Sequence, residues 1–207
     1  MKKLFLSLIC AFGLCAAVVA QNAATEKVVQ FDKTSTKPGF GLVYNSDVKD
    51  VNLAVKNRMT KEGLKGKAFG KNITKYEQVN MPSICAQTCD IYIKVEPSGK
   101  TASSVTCFVS KGYDNFVSSS NDPETSNLAK AFVESLGKDI EAVVLAAKIA
   151  EQEKVVKKAE DEYKKSVSEK EKIQKELDKA EQNIKNMETA RQNQQKILDE
   201  LKAKSNQ

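Results

Sequence analysis

The spacing of apolar residues changes twice along this chain. Residues 4–19 form an apolar run broken only by Ser7 and Gly13. From residue 28 to 109 apolar residues recur at alternate positions, apart from a helical spacing over 47–62. From residue 123 onward they recur every third or fourth position, with no proline after Pro123 and no glycine after Gly137. These periods predict a short apolar leader, a set of β-strands and a long helical region.

Within the alternating part, Val28-Val29-Gln30-Phe31 reads as a short strand, Pro38-Gly39 as a break, and Phe40, Leu42 and Tyr44 as a second strand. A helix over 47–62 follows. Ser46 is its expected cap, Asp47 and Asp50 lie in its first turn and Gly63 closes it. Val48, Val51, Val55 and Met59 share one face, which predicts packing on a sheet. Strands are expected over 64–70 and 73–79, with a loop from 81 to 88 containing Pro82. The clearest β signal pairs Ile91, Ile93 and Val95 with Val105, Cys107 and Val109 around a turn at Pro97-Ser98-Gly99-Lys100. The expected fold is α+β: a small antiparallel sheet with a packed helix, followed by a long C-terminal helix or helical hairpin.

The helical region divides in two. Leu128, Phe132, Leu136, Ile140, Val143 and Ala147 make a rich stripe expected to pack on the sheet domain. Beyond it one heptad register runs from Val156 to Leu201. Its a positions are Val156, Tyr163, Lys170, Leu177, Ile184, Arg191 and Leu198. Its d positions are Ala159, Ser166, Ile173, Ala180, Met187, Gln194 and Leu201. Most are apolar, so this is a coiled-coil-like seam centred on Ile173, Leu177, Ile184, Met187, Leu198 and Leu201. Two polar breaks, Ser166/Lys170 and Arg191/Gln194, mark candidate points of bending, reversal or register control. Pairs such as Glu160/Lys164 and Glu181/Lys185 are placed for i,i+4 ion pairing.

Charge refines the reading of the seam. Its e and g flanks carry Glu160, Glu162, Glu169, Glu176, Glu181 and Glu188, with Lys202 at the far end; lysines crowd the outward positions. A parallel homodimer would set Glu176 against Glu181, and an antiparallel one would also bring acidic edges together. A partner with basic flanks, or a hairpin reversing near residues 166–168 with Ser168 and Glu171 as a capping box, fits better. The helix is thus expected to engage a protein partner, self or hetero.

The rest of the charge is unremarkable. Residues 21–122 carry 14 Lys and Arg against 10 Asp and Glu, and residues 123–207 carry 17 of each. So mild a basic balance does not point to nucleic acid. The basic start at Met1-Lys2-Lys3, the apolar run and the small Ala20 predict a signal peptide over residues 1–20, cut to leave Gln21. The run is shorter than the ~20 residues of a spanning helix. Cys10 and Cys15 lack the preceding small residue of a lipoprotein signal. The chain is therefore expected to be exported, periplasmic or secreted, with no membrane span after cleavage.

The order of strands and helices, together with the export signal and a mature start at glutamine, resembles uncharacterised exported proteins of Bacteroidota-type bacteria that carry a TBP-like, β-α-β4-α domain. The resemblance covers residues 28–140. It implies a fold and no functional site.

Candidate chemistry is sparse. The chain has no histidine, which removes Ser-His-Asp triads, Cys-His pairs and His-ligated metals. Paired-carboxylate spacing, Gly-rich phosphate loops and Gly-x-Ser-x-Gly elbows are also missing. No enzyme activity, cofactor or metal is expected. Cys85, Cys89 and Cys107 survive cleavage. In an oxidising compartment a disulfide joins Cys89 to Cys107 across the hairpin, or alternatively Cys85 to Cys89; unpaired buried thiols are the other reading. Residues 110–122 link the last strand to the long helix and hold Tyr113, Asp114, Asn115 and Phe116, a mixed aromatic and polar candidate binding loop. In the plainer reading the aromatics pin the helix, with Asp122 capping and Pro123 as its first residue. The domains expected are a signal peptide (1–20), a small α+β domain (21–122) and a long helical, coiled-coil region (123–207). Two functions fit: a non-enzymatic binding or structural protein of the bacterial cell envelope whose helical rod mediates association, or a small-molecule or lipid-binding periplasmic domain with a helical lid or oligomerisation tail.

Overall fold

The computed structural model describes residues 23–205. The expected signal peptide and its cleavage site lie outside them. The chain forms β1 (Thr25–Gln30), β2 (Thr36–Tyr44), α1 (Val48–Lys61), β3 (Lys67–Ala68), β4 (Ile73–Met81), β5 (Cys85–Pro97), β6 (Ser103–Ser110) and α2 (Pro123–Ser205). The strands make one six-stranded sheet in the order β1-β2-β6-β5-β4-β3, every neighbouring pair antiparallel. From β2 onward the order is β-α-β4-α, with β1 added as an edge strand. The α+β class holds, and the C-terminal element is one helix.

The strongest sequence signal forms the sheet centre. Ile91 faces Val109, Ile93 faces Cys107 and Val95 faces Val105 across β5 and β6. All are buried on one face with Phe40, Tyr44, Tyr76 and Val79. Alternation of side chains along a strand puts them there together. Val51, Ala54, Val55 and Met59 of α1, with Phe132, Val133, Leu136 and Ile140 of α2, cover this face. Arg58 ties the two helices by pairing with Asp139 and donating to Ser135 Oγ at 3.3 Å.

Helix ends follow local chemistry. Gly63, at φ 74°, closes α1 with Gly63 N–H donating to the Thr60 carbonyl at 2.9 Å and Leu64 N–H to that of Met59 at 2.9 Å. That bond pair is the Schellman termination, which needs a left-handed residue. At the other end Asp47, not Ser46, is the cap residue, without a side-chain hydrogen bond; Ser46 instead accepts the Ser103 hydroxyl on its carbonyl at 2.7 Å. For α2, Asp122 Oδ1 accepts the Thr125 N–H at 3.1 Å and Pro123 is the first residue.

Three expectations need correction. Pro38-Gly39 does not break a strand: β2 runs through it, Pro38 facing Val28. A Cβ at Gly39 would lie 2.7 Å from Phe108, so glycine lets that ring cross the strand. The expected loop at 81–88 is a tight turn between Met81 and Cys85, and Cys85 already belongs to β5. The register shifts of β4 against β5 expose Ala86, Gln87 and Thr88 in succession and hide the alternation. The helical hairpin is not formed: α2 passes unbroken through residues 166–168. Ser166 Oγ satisfies itself within the helix by donating to the Glu162 carbonyl at 3.1 Å, and no glycine or proline offers a turn.

The compact units divide within α2. The first ends at Ala146 and the second begins at Ala147. Phe132, Val133, Leu136 and Ile140 of α2 belong to the core of the first unit.

Candidate functional site

The opposite sheet face is also covered, a feature the strand pattern did not foreshadow. Phe31 stands at the centre of a ring cluster, 5.4 Å from Phe69, 5.0 Å from Tyr92, 5.2 Å from Phe108 and 5.0 Å from Phe116 between centroids. Edge-on arrangements at these distances are the favourable aromatic geometry. Lysines close over it: Lys37 Nζ lies 5.1 Å from the Phe116 centroid and Lys75 Nζ 5.3 Å from that of Tyr92. Buried Lys94 donates to the Gln30 carbonyl at 2.8 Å and pairs with Glu96 at 2.9 Å. The cluster draws on segments distant in sequence. Its only local trace is the outward-facing Tyr92 and Phe108 within otherwise alternating strands.

This arrangement decides the candidate loop at 113–116. Phe116 turns into the ring cluster and Tyr113 turns fully into solvent. Asp114 pairs with Lys37, and Asn115 N–H donates to the Gly112 carbonyl at 2.9 Å. Tyr113 and Asp114 have φ of 50° and 65°, the left-handed conformation that lets the chain reverse in so few residues. The four residues are together in sequence but do not converge on one surface. Phe40 and Tyr44 lie in the helix-covered core, and Tyr92 and Phe108 lie in the ring cluster.

Cys85, Cys89 and Cys107 are free thiols, all buried. The expected Cys89–Cys107 bridge is not formed, because the register opposes Cys107 to Ile93. The alternative Cys85–Cys89 bridge is not formed either, though both residues lie on β5. Burial pushes the Cys89 thiol up to about 12 and raises that of Cys107 as well. Thiols so far from their ordinary range stay protonated and are poor nucleophiles or ligands at neutral pH. Among the described residues no group of three or more Cys, Asp or Glu is placed to hold a metal ion.

The second unit is the remaining candidate, and it differs from the first. Every side chain from residue 145 to 204 is exposed. The seam residues Ile173, Leu177, Ile184, Met187, Leu198 and Leu201 are between 44% and 72% accessible. The stripe is thus an apolar ladder along α2, interrupted at Ser166/Lys170 and at Arg191/Gln194, with no partner among the described residues. The expected i,i+4 ion pairs do not form within α2 among the described residues. Side-chain amides bridge instead, Gln174 to Asp178 at 2.9 Å, Gln182 to Asn186 at 3.2 Å and Gln195 to Asp199 at 2.9 Å. The Glu and Lys side chains are therefore free for contacts beyond their own helix. None of the described helices is long and apolar enough to cross a membrane.

No family model, curated protein or solved structure matches this chain.

Proposed function

We propose that this chain is an exported, non-enzymatic binding or structural protein of a bacterial cell envelope, acting through association of its C-terminal helix with another protein chain. The carrying observation is the exposed apolar ladder of α2 from Tyr163 to Leu201 at heptad spacing. Soluble proteins seldom leave a row of large apolar side chains uncovered unless it meets a partner. Heptad spacing selects a helical partner, since a and d side chains fill the holes of a facing helix. The basic start, apolar run and Ala20 support export.

Cell fractionation with N-terminal sequencing tests the first half. The expected product is an envelope or secreted protein beginning at Gln21; retention of Met1 in the cytoplasm overturns export. Light scattering together with affinity capture of the exported protein tests the second half. A chain that is monomeric and captures nothing through α2 overturns association.

A further inference from the structure

The ladder on α2 admits three kinds of occupant: the same helix folded back, a second copy of this chain, or an unrelated helix. The first is removed by the unbroken course of α2 from Pro123 to Ser205. The other two are separated by charge. We propose that α2 pairs with α2 of a second copy of this chain, antiparallel, with the two-fold axis beside Gln182. This rests on the reading of α2 as an association element and names its partner.

The four polar positions of the seam carry the argument. In a parallel pair each a residue meets its own counterpart. Lys170 would then sit on Lys170 and Arg191 on Arg191, and Glu176 would face Glu181 along the flank. Buried like charges without partners are costly. In an antiparallel pair a meets d, and each layer joins two different residues. With Ile184 set on Ala180 of the second copy, Leu177 meets Met187 and Tyr163 meets Leu201. Lys170 then meets Gln194, one residue from each polar break, and Ser166 meets Leu198. Arg191 meets Ile173, with Glu169 and Glu176 of the second copy about one turn away on either side.

The flanks single out the same register. In antiparallel coiled coils e faces e and g faces g. Here Glu160 faces Lys202 of the second copy and Glu162 faces Lys204, and each pair occurs twice by symmetry. The acidic edges that an antiparallel pair was expected to bring together therefore meet at one place only in this register, Glu181 on Glu181 at the axis. Glutamates flank the seam early and lysines only at its end, an asymmetry that a parallel homodimer wastes and an antiparallel one uses. Sliding by a heptad one way separates Glu162 from Lys204 and sets Lys170 on Met187. Sliding the other way brings Glu181 onto Glu188 twice. The retained overlap, residues 160 to 204, extends for roughly 65 Å at about 1.5 Å per residue.

The test uses the full chain purified after export, with single cysteines added. The native thiols are buried and serve as an unreactive background. Light scattering is expected to give twice the chain mass. Asn183→Cys, a g position beside the axis, is expected to crosslink to itself with a short bismaleimide, and Leu201→Cys is not. Mixed Tyr163→Cys and Leu201→Cys chains are expected to crosslink to each other. Lys202→Glu with Lys204→Glu is expected to weaken the dimer about tenfold, and Glu160→Lys with Glu162→Lys added to the same chain restores it. Self-crosslinking of Leu201→Cys without that of Asn183→Cys means a parallel pair and overturns the proposal. A monomer overturns it too. If that monomer still binds a different helix through the ladder, association stands and only the identity of the partner fails.

Discussion

The Tyr44 hydroxyl, at the end of β2, donates a hydrogen bond to the backbone carbonyl of Val133 in α2. One strand end is thereby fastened to the helix that closes the core. Burial raises the Tyr44 hydroxyl well above its ordinary range, so it remains a donor at all moderate pH. Removing it with Tyr44→Phe should destabilise the first unit by about 1 kcal/mol, measured by chemical denaturation. One turn along, Gly137 lies in the helix interior, and a Cβ there would meet Tyr44 at 3.7 Å, an ordinary contact. Gly137→Ala should therefore raise stability by about 0.5 to 1 kcal/mol.

Asp122 has two tasks. One carboxylate oxygen caps α2 through the Thr125 N–H, and the other pairs with Lys111 from the end of β6. The pairing with Lys111 comes first among the causes that hold the Asp122 carboxyl below its usual range. Asp122→Ala should cost about 1 to 2 kcal/mol. The contribution is present above the usual carboxylate value of 3.8 and fades as pH falls below it. Acid titration of the wild type and the variant, followed by near-UV dichroism, should show the two curves converging as pH falls below 3.8.

The core should be more sensitive to base than to acid. Burial raises Cys89 to about 12 and raises Cys107, Tyr44 and Tyr76 in the same direction. Each of these groups holds its proton more tightly folded than unfolded. Their contribution is complete below the ordinary thiol value of 9.0 and is lost as pH rises towards 12. The thermal midpoint should fall steadily above pH 9. At neutral pH the three thiols should resist a thiol-specific reagent in the native protein and react promptly in denaturant. Rapid native labelling would contradict the buried placement.

How much of this was legible in the sequence depended on whether the signal was local. Period-two alternation placed Ile91, Ile93 and Val95 opposite Val105, Cys107 and Val109. Gly63, Asp122 and Pro123 marked helix ends because their conformational preferences act within one turn. The reading failed where distant residues decide. Phe31 and Phe69 carry no mark that they meet Tyr92. Pro38 lies in the part of β2 that pairs with β1 alone, before the register with β6 begins at Phe40. The bulged start of β5 hid Cys85 in an expected loop and upset the cysteine pairing. The ladder of α2 was legible residue by residue, but its composition served a hairpin and a single helix equally well.

Phe31 and Tyr113 should separate packing from exposure. Phe31 is ringed by four aromatic neighbours, and Phe31→Ala should cost about 3 kcal/mol or more. Tyr113 has no such contacts and sits at φ 50°. Tyr113→Gly should leave stability unchanged or raise it by up to about 1 kcal/mol, since glycine accepts that conformation without strain. Parallel urea titrations would measure both, and an equal loss at the two sites would contradict the placement.

The second unit should report its own pairing through hydrogen exchange. A lone helix of this composition frays, because nothing packs on its apolar stripe. Association adds stability that depends on concentration. At a hundredfold excess over the dissociation constant it amounts to about 2.7 kcal/mol, or roughly a hundredfold slower exchange. Amides around Leu177 and Ile184 should therefore gain protection as the protein is concentrated, whereas those of β5 and β6, held by the buried core, should not. Leu177→Ala with Ile184→Ala should abolish the gain and leave the unfolding of the first unit within about 0.5 kcal/mol of wild type. Concentration-independent protection across residues 160–204 would mean that the ladder is not covered by a second chain.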